Sequence, residues 1–236
     1  MRPPPARAVP PAVHKLPFTV LYETNRFLVI DKPAGLPVYP SRAGGPSVED
    51  WFPLMSRRKD GPWLVHRLDQ DTSGCLMIAL RKQALLDLQE QLRTDGIRKI
   101  YHVVVRGRPE AESGDISFPL KRTEQGRFWR MSVAQDGQPS LTRWHLRGYS
   151  PERNLAWLEV ELLTGRTHQI RAHCAASGWP VLGDTVYGEQ KQDVPLHLLA
   201  RRLILPETDI SAPVPEHMKT ALSACGLTSP ETQNGA

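Results

Sequence analysis

Thiol chemistry has little to work with in this chain of 236 residues. Its three cysteines, Cys75, Cys174 and Cys225, are too few and odd in number for a disulfide framework, and no Cys-x-x-Cys pair offers thiolates to zinc. The plain reading of Cys75 and Cys174 is as small buried hydrophobes. Any run of 18 apolar residues is also missing, so no helix spans a membrane. The opening MRPPPARAVPPAV is broken by prolines and lacks the continuous apolar stretch of a secretory signal. The expected address is therefore cytoplasmic. No internal repeat is visible.

What is present reads as an ordinary globular protein, with 40% hydrophobic and 23% charged residues. The length suits one large domain or two small ones. The net charge of +5 is mild, but basic residues cluster: Arg57-Arg58-Lys59, Arg81-Lys82, Arg98-Lys99, Lys121-Arg122 and Arg201-Arg202. Each cluster alone is a solvated face; together they favour a polyanionic partner. Residues 1–16 read as a disordered Pro-rich leader and 17–206 as the folded body. Residues 207–236 read as a loosely ordered tail, with a short helix near 218–225.

Within the body, strands alternate with helices. Residues 27–30 form an apolar run leading into Asp31-Lys32-Pro33, a strand entering a turn. A second apolar run covers 75–80. Residues 81–95 place Leu85, Leu88 and Leu92 at helical spacing, with Gly96 as C-cap. The β-branched stretch 100–105 predicts a strand. In 154–163, Ala156, Leu158, Val160 and Leu162 alternate with Glu159 and Glu161, a half-buried strand. Residues 164–177 predict a helix stopping at Gly178, and 196–205 a closing strand. The fold class is α+β with a mixed or antiparallel sheet.

Three segments carry candidate chemistry. In His66-Arg67-Leu68-Asp69-Gln70-Asp71-Thr72-Ser73-Gly74, an acid precedes residues suited to a tight turn. Either an Asx-turn occupies Asp69 or Asp71, or the loop presents a carboxylate beside Arg67 at the mouth of a strand. In Thr164-Gly165-Arg166-Thr167-His168-Gln169-Ile170-Arg171-Ala172-His173, helical spacing puts Arg171 on the face of Thr167. Arg166 and Thr167 would then lie in a first turn suited to phosphate. His168 and His173 are five apart and diverge around a helix, which disfavours a zinc pair. Tyr101, in Lys99-Ile100-Tyr101, reads as a packing residue of a strand.

These segments, in this order, resemble the RluA family of RNA pseudouridine synthases over about residues 20–206. Asp31-Lys32-Pro33-Ala34-Gly35-Leu36 is similar to its first motif, and His66 to Gly74 to its catalytic HRLDxxTSG motif. Arg98-Lys99-Ile100-Tyr101 is similar to the strand bearing its active-site tyrosine. Residues 164–173 are similar to its third motif, followed by Val181-Leu182-Gly183-Asp184-Thr185-Val186-Tyr187-Gly188. Tyr39 departs from the family, standing where many members have histidine.

The resemblance implies the pseudouridine synthase fold: a bent mixed or antiparallel sheet, flanking helices and a central RNA-binding cleft. It implies an isomerase with no cofactor and no metal. Asp69, Tyr101 and Arg171 would be catalytic, with Arg171 pairing Asp69. A guanidinium suits that role because it stays charged and can grip a carboxylate with two parallel bonds. His66, Arg67, Lys32, Arg166, His168 and Lys99 would contact RNA, Arg67 filling the gap left by an extruded uridine. The expected partner is a stem-loop of tRNA or rRNA, the expected state a monomer. A non-catalytic RNA-binding protein would need the basic clusters but not Asp69. A nucleosidase or glycosidase would need Asp69 and Asp71 at one bond.

Overall fold

A computed structural model of the chain describes residues 16–40, 44–56, 60–126, 128–188 and 194–228. The cluster Arg57-Arg58-Lys59 and nearly all of the 1–16 leader lie outside the described residues. Twelve strands and four α-helices are found among those described. β1 (Thr19–Glu23) and β2 (Phe27–Lys32) form a hairpin. A 3₁₀ turn at Val48–Trp51 runs into α1 (Phe52–Met55), and β3 (Trp63–Leu64) follows. Next come β4 (Ser73–Ala79), α2 (Lys82–Arg93), β5 (Arg98–Arg106) and β6 (Ser113–Ile116). β7 (Leu120–Gln125) and β8 (Phe128–Val133) pair as a separate two-stranded sheet, with Leu120 of β7 also bridged to Gln138. β9 (Thr142–Ser150), β10 (Leu155–Leu162), α3 (Gln169–Ala176), β11 (Leu198–Leu205), β12 (Thr208–Ser211) and α4 (Glu216–Ala224) complete the order.

The main sheet runs β1-β2-β4-β11-β5-β10-β9-β6, with β12 joined to β11 and β3 to β4. Every pairing is antiparallel except β4 with β11. That parallel pair meets at only two positions, Ser73 with Leu199 and Gly74 with Ala200. Gly74 has φ +105°, and a Cβ there would stand 2.3 Å from the Ala200 carbonyl oxygen. Only glycine lets the two backbones approach so closely. Beside this point β11 shifts register between Leu199 and Arg202, across from Tyr101 on β5. A short parallel contact, an obligatory glycine and an irregular strand thus converge where the sheet opens. Such irregularities re-aim side chains.

Both faces of the sheet are covered, so β4 is buried at every residue. On one face Ile30, Leu76, Val103 and Leu158 pack with Ile170 and Cys174 of α3. On the other, Met77, Val104 and Leu203 pack with Leu88 of α2 and with Met218 and Leu222 of α4. Cys75 and Cys174 are fully buried, as small hydrophobes should be.

Three sequence expectations need correction. The described part of the 207–236 tail is not loose: β12 pairs with β11 through Leu203 and Ile210, and α4 fills the second core. The third-motif helix begins at Gln169, not 164, because His168 takes a left-handed φ of +52° that interrupts it. The left-handed position after α2 belongs to Asp95, at φ +58°, rather than to Gly96. No described helix is long and apolar enough to cross a membrane.

The tail's contribution is measurable. Leu222 is completely buried, so Leu222→Ala should cost about 2–5 kcal/mol from lost transfer energy and the cavity left behind. Urea denaturation reads this directly, and an unchanged midpoint would show that α4 is not part of the core.

Candidate active site

Asp69 sits in the loop 65–72 that feeds β4. The turn there is closed by backbone alone: the Thr72 N–H donates to the Asp69 carbonyl at 3.2 Å. The carboxylate is therefore not spent on an Asx-turn, and it lines a cleft with Arg67, Tyr101, Arg166, His168 and Arg171. Asp71 is exposed and does not line that cleft, so no second acid joins Asp69 in it.

The loop is held from behind by Lys32, which is completely buried. Its Nζ donates 2.8 Å hydrogen bonds to the carbonyls of Pro33, Leu36 and Gln70, using all three ammonium protons. The Gly35 N–H also donates to the Gln70 carbonyl, at 3.0 Å. Burial pushes the Lys32 pKa down to about 7, against the pull of Asp71, Asp69 and Asp31. The first-motif loop and the loop bearing Asp69 are thus joined at one ammonium. Lys32, expected from the sequence to contact RNA, is enclosed behind the loop and does not line the cleft.

Arg171, on α3, is 5% exposed and approaches Asp69 Oδ2 at 3.4 Å through one terminal nitrogen. The two parallel bonds expected for that pair go elsewhere. Nε and the other terminal nitrogen donate to Asp184 at 2.7 and 2.9 Å. Asp184 Oδ1 also accepts the N–H groups of Val186 and Tyr187, at 2.9 and 3.0 Å. Burial alone would raise the Asp184 pKa; these bonds and the Arg171 charge hold it below the usual carboxylate range. Burial would likewise lower Arg171, and Asp184 outweighs it and raises the pKa. Asp184 places the guanidinium, and the guanidinium presents its remaining nitrogen to Asp69. Gly183 before it has φ +79°, and a Cβ would strike the Pro195 carbonyl at 2.1 Å.

Tyr101 on β5 is 5% exposed and reaches the cleft from the sheet. Burial, with the Asp69 charge nearby, raises its pKa, so the phenol keeps its proton. His168 lies 3.8 Å from Asp69 Oδ2 through Nε2, while its Nδ1 is 3.1 Å from the Tyr187 hydroxyl. Burial lowers its pKa against the attraction of Asp69.

Arg67 and Arg166 are exposed at the mouth, and both also line an adjoining groove with Lys121, Arg122 and Trp129 of the β7–β8 hairpin. Arg166 Nε donates to the Pro139 carbonyl at 3.1 Å. It precedes α3 in a loop pinned by Gln169, whose Oε1 accepts from the Arg166 N–H at 3.0 Å and the Thr164 hydroxyl at 2.8 Å. The phosphate-binding helix turn expected for Arg166 and Thr167 is therefore not formed.

Two other expected residues, and His173 of the third motif, stand apart from the cleft. His66 is half-buried and accepts the Met77 N–H at 3.1 Å through Nε2. Lys99 has its amine beside Gly165, where burial lowers its pKa. His173 is enclosed by Thr142, Ser140 and the Phe118 carbonyl, at 2.9, 3.0 and 3.0 Å, away from His168. Tyr39 is 45% exposed and lines no part of the cleft. Sequence reasoning missed Asp184 and Tyr187 as site residues, although the segment 181–188 was already conspicuous. Trp129 gave no signal at all.

Residues 26–176 match the sequence pattern of the family described as RNA pseudouridylate synthase. An RNA pseudouridine synthase of Chloroflexus aurantiacus, itself called uncharacterized, is 38% identical over 208 residues. The match covers 81% of this chain and 64% of that relative, so this chain spans less than two thirds of its length. Ribosomal large subunit pseudouridine synthase C of Haemophilus ducreyi is 34% identical over 219 residues, 86% of this chain and 68% of that one. Among solved structures, human RNA Pseudouridylate Synthase Domain Containing 4 has a TM-score of 0.74 at 25% identity, covering 89% of this chain and 94% of its own.

Two predictions come from this geometry. Arg171→Met and Asp184→Asn should each destabilise the fold by about 3–5 kcal/mol, since each leaves a buried charge unmatched. The double variant should lose clearly less than the sum in urea denaturation; strict additivity would show that the pair is not coupled. Buried neutral histidines set the acid response. Burial, helped by the Lys99 charge, pushes His66 from 6.5 down to about 4, and burial pushes His102 down to the same value. The unfolded chain binds those protons first, so stability is fully present above pH 6.5 and falls as pH drops towards 4. Melting temperatures across that window test this, and a flat profile would contradict it.

Proposed function

The chain belongs to the RNA pseudouridylate synthase family, and from that premise we propose that it isomerises uridine to pseudouridine in structured RNA. The observation that carries this is the Asp69 carboxylate, free of its own turn and presented to a cleft beside the Arg171–Asp184 pair. The reaction breaks the N1–C1′ bond and makes a C5–C1′ bond. The proton leaving C5 is balanced by one gained at N1, so no cosubstrate is required. Asp69 acts as a nucleophile or as a base at ribose carbon 2. A phenol kept neutral by burial makes Tyr101 better suited to stack on the uracil than to take its proton.

The target uridine must leave its stack to reach Asp69 inside the cleft. Arg67 stands exposed at the mouth, where its guanidinium plane can take the vacated place. Arg67, Arg166, Lys121 and Arg122 line one groove, which suits the phosphates of a folded hairpin. Relatives named for the large ribosomal subunit support a ribosomal RNA hairpin as substrate, with a tRNA stem-loop as the other member of the class. The enzyme acts as a monomer in the cytoplasm, where those RNAs are.

The test is Asp69→Asn, which removes the charge and preserves the shape. The variant should keep the wild-type melting temperature and RNA affinity and form no pseudouridine. Mapping pseudouridine in ribosomal and transfer RNA from cells lacking the gene identifies the substrate. Turnover by purified Asp69→Asn, or release of free uracil by the wild type, would overturn the assignment.

A further inference from the structure

The β7–β8 hairpin is a two-stranded sheet of its own, and such a ribbon is marginal unless something fixes it. Two of its contacts reach the residues around Asp69. The Met131 N–H donates to the Tyr187 hydroxyl at 2.9 Å. The Trp129 indole stacks on the His168 imidazole, with centroids 5.1 Å apart and planes 16° from parallel. We infer that Trp129 is a positioning residue: it holds the His168 ring against Asp69, so that the placement of the hairpin is felt by the catalytic carboxylate. This rests on the role given to Asp69 above.

His168 needs to be held. Its φ of +52° is one that side chains other than glycine rarely adopt. Tyr187 meets the ring edge-on, centroids 5.7 Å apart, and Trp129 covers its face. The Tyr187 hydroxyl accepts the Met131 N–H, so its own proton goes to His168 Nδ1, its other partner among the described residues. Neutral His168 then carries its proton on Nε2, 3.8 Å from Asp69 Oδ2. The charges facing the ring are Asp69, Arg171, Asp184 and Arg67. From the hairpin, the Arg122 guanidinium lies over the Trp129 ring at 4.7 Å and lines the basic groove. A phosphate that draws on Arg122 therefore acts on the indole that packs His168. A chain of contact runs from the groove through Arg122, Trp129 and His168 to Asp69.

The competing role for an aromatic here is a stacking platform for an RNA base, and the two roles separate in kinetics. A platform changes affinity; a positioning residue changes the chemical step. Trp129→Ala and Trp129→Phe in the full chain should be compared on an RNA hairpin that the wild type modifies. For Trp129→Ala we expect a dissociation constant within about threefold of wild type, and a single-turnover rate about tenfold to a hundredfold lower. Exposing the imidazole to water relaxes the burial that lowers its pKa, so the acid limb of the rate profile should move to higher pH. The His168 resonances should report the same shift by NMR without any turnover. Trp129→Phe keeps a ring on the imidazole and should restore both. If Trp129→Ala lowers the melting temperature so far that it cannot be assayed, Trp129→Leu repeats the comparison with an apolar but non-planar side chain. Unchanged rate and His168 titration, or a loss confined to the dissociation constant, would overturn the inference. A catalytically active Asp69→Asn would instead overturn the functional reading, whatever Trp129 does.

Discussion

Arg171 is buried, and a buried guanidinium has to be matched before a second carboxylate can be set beside it with a defined orientation. Asp184, fully enclosed, takes two of its N–H groups, and two backbone N–H groups complete the carboxylate. With that pair balanced, the remaining nitrogen is directed at Asp69, which retains partial exposure to the cleft. Taking the ions out of water costs several kcal/mol each, so the triad is poor evidence for stability. Its value is geometric. Arg171 joins the loop before β4, 102 residues away in sequence, to the turn just after its own helix α3. Glycine at 183 is part of that arrangement, because the Asp184 turn passes directly beneath the Pro195 carbonyl.

The sheet supplies the second constraint. β4 and β11 pair at only two residues, at the head of β4, so loop 65–72 just before them must find other anchors. Lys32 provides them. An ammonium with three carbonyl acceptors is a stronger tie than three neutral hydrogen bonds, because each bond is charge-assisted. The first motif thus acts at one remove: its lysine fixes the loop from beneath while Asp69 and Arg67 face the cleft.

Apolar runs and periodicity in the sequence were enough for β2, β4, α2, β5, β10 and β11: α2 and β10 bury one face at regular spacing, while β2, β4, β5 and β11 are buried over continuous runs. They were silent between 107 and 153. There β7 and β8 carry Phe128, 81% exposed, and Trp129, 38% exposed, so apolar residues face water and no buried stripe exists to read. The third-motif helix was drawn too early because Thr164, Arg166 and Thr167 are compatible with a helix. A side chain of Gln169 and a left-handed His168 override that propensity. The tail was misjudged for the opposite reason: prolines at 206, 213 and 215 suggest looseness, yet Met218 and Leu222 follow them into the core. Asp69 and Arg171 were identified through resemblance, and Asp184 was overlooked because a buried acid in a Gly-Asp turn looks like ordinary turn chemistry.

The charge pattern also changes meaning once partners are visible. Of the basic pairs that suggested a polyanion, Arg98 is bound to Glu161 and Arg202 lies 3.3 Å from Asp209. Arg81 and Arg201 donate to backbone carbonyls. These cations are committed to the fold. Around the groove the case differs. Arg67 and Arg166 have no carboxylate partner among the described residues. Lys121–Asp136 and Arg122–Glu124 are pairs whose side chains are all more than half exposed. Exposed pairs are worth about 1 kcal/mol or less, so a phosphate can displace their carboxylates at little cost. The same displacement at Arg171 would strand the buried Asp184. An RNA chain can therefore rearrange the ion pairs at the rim while the pair that aims at Asp69 stays fixed.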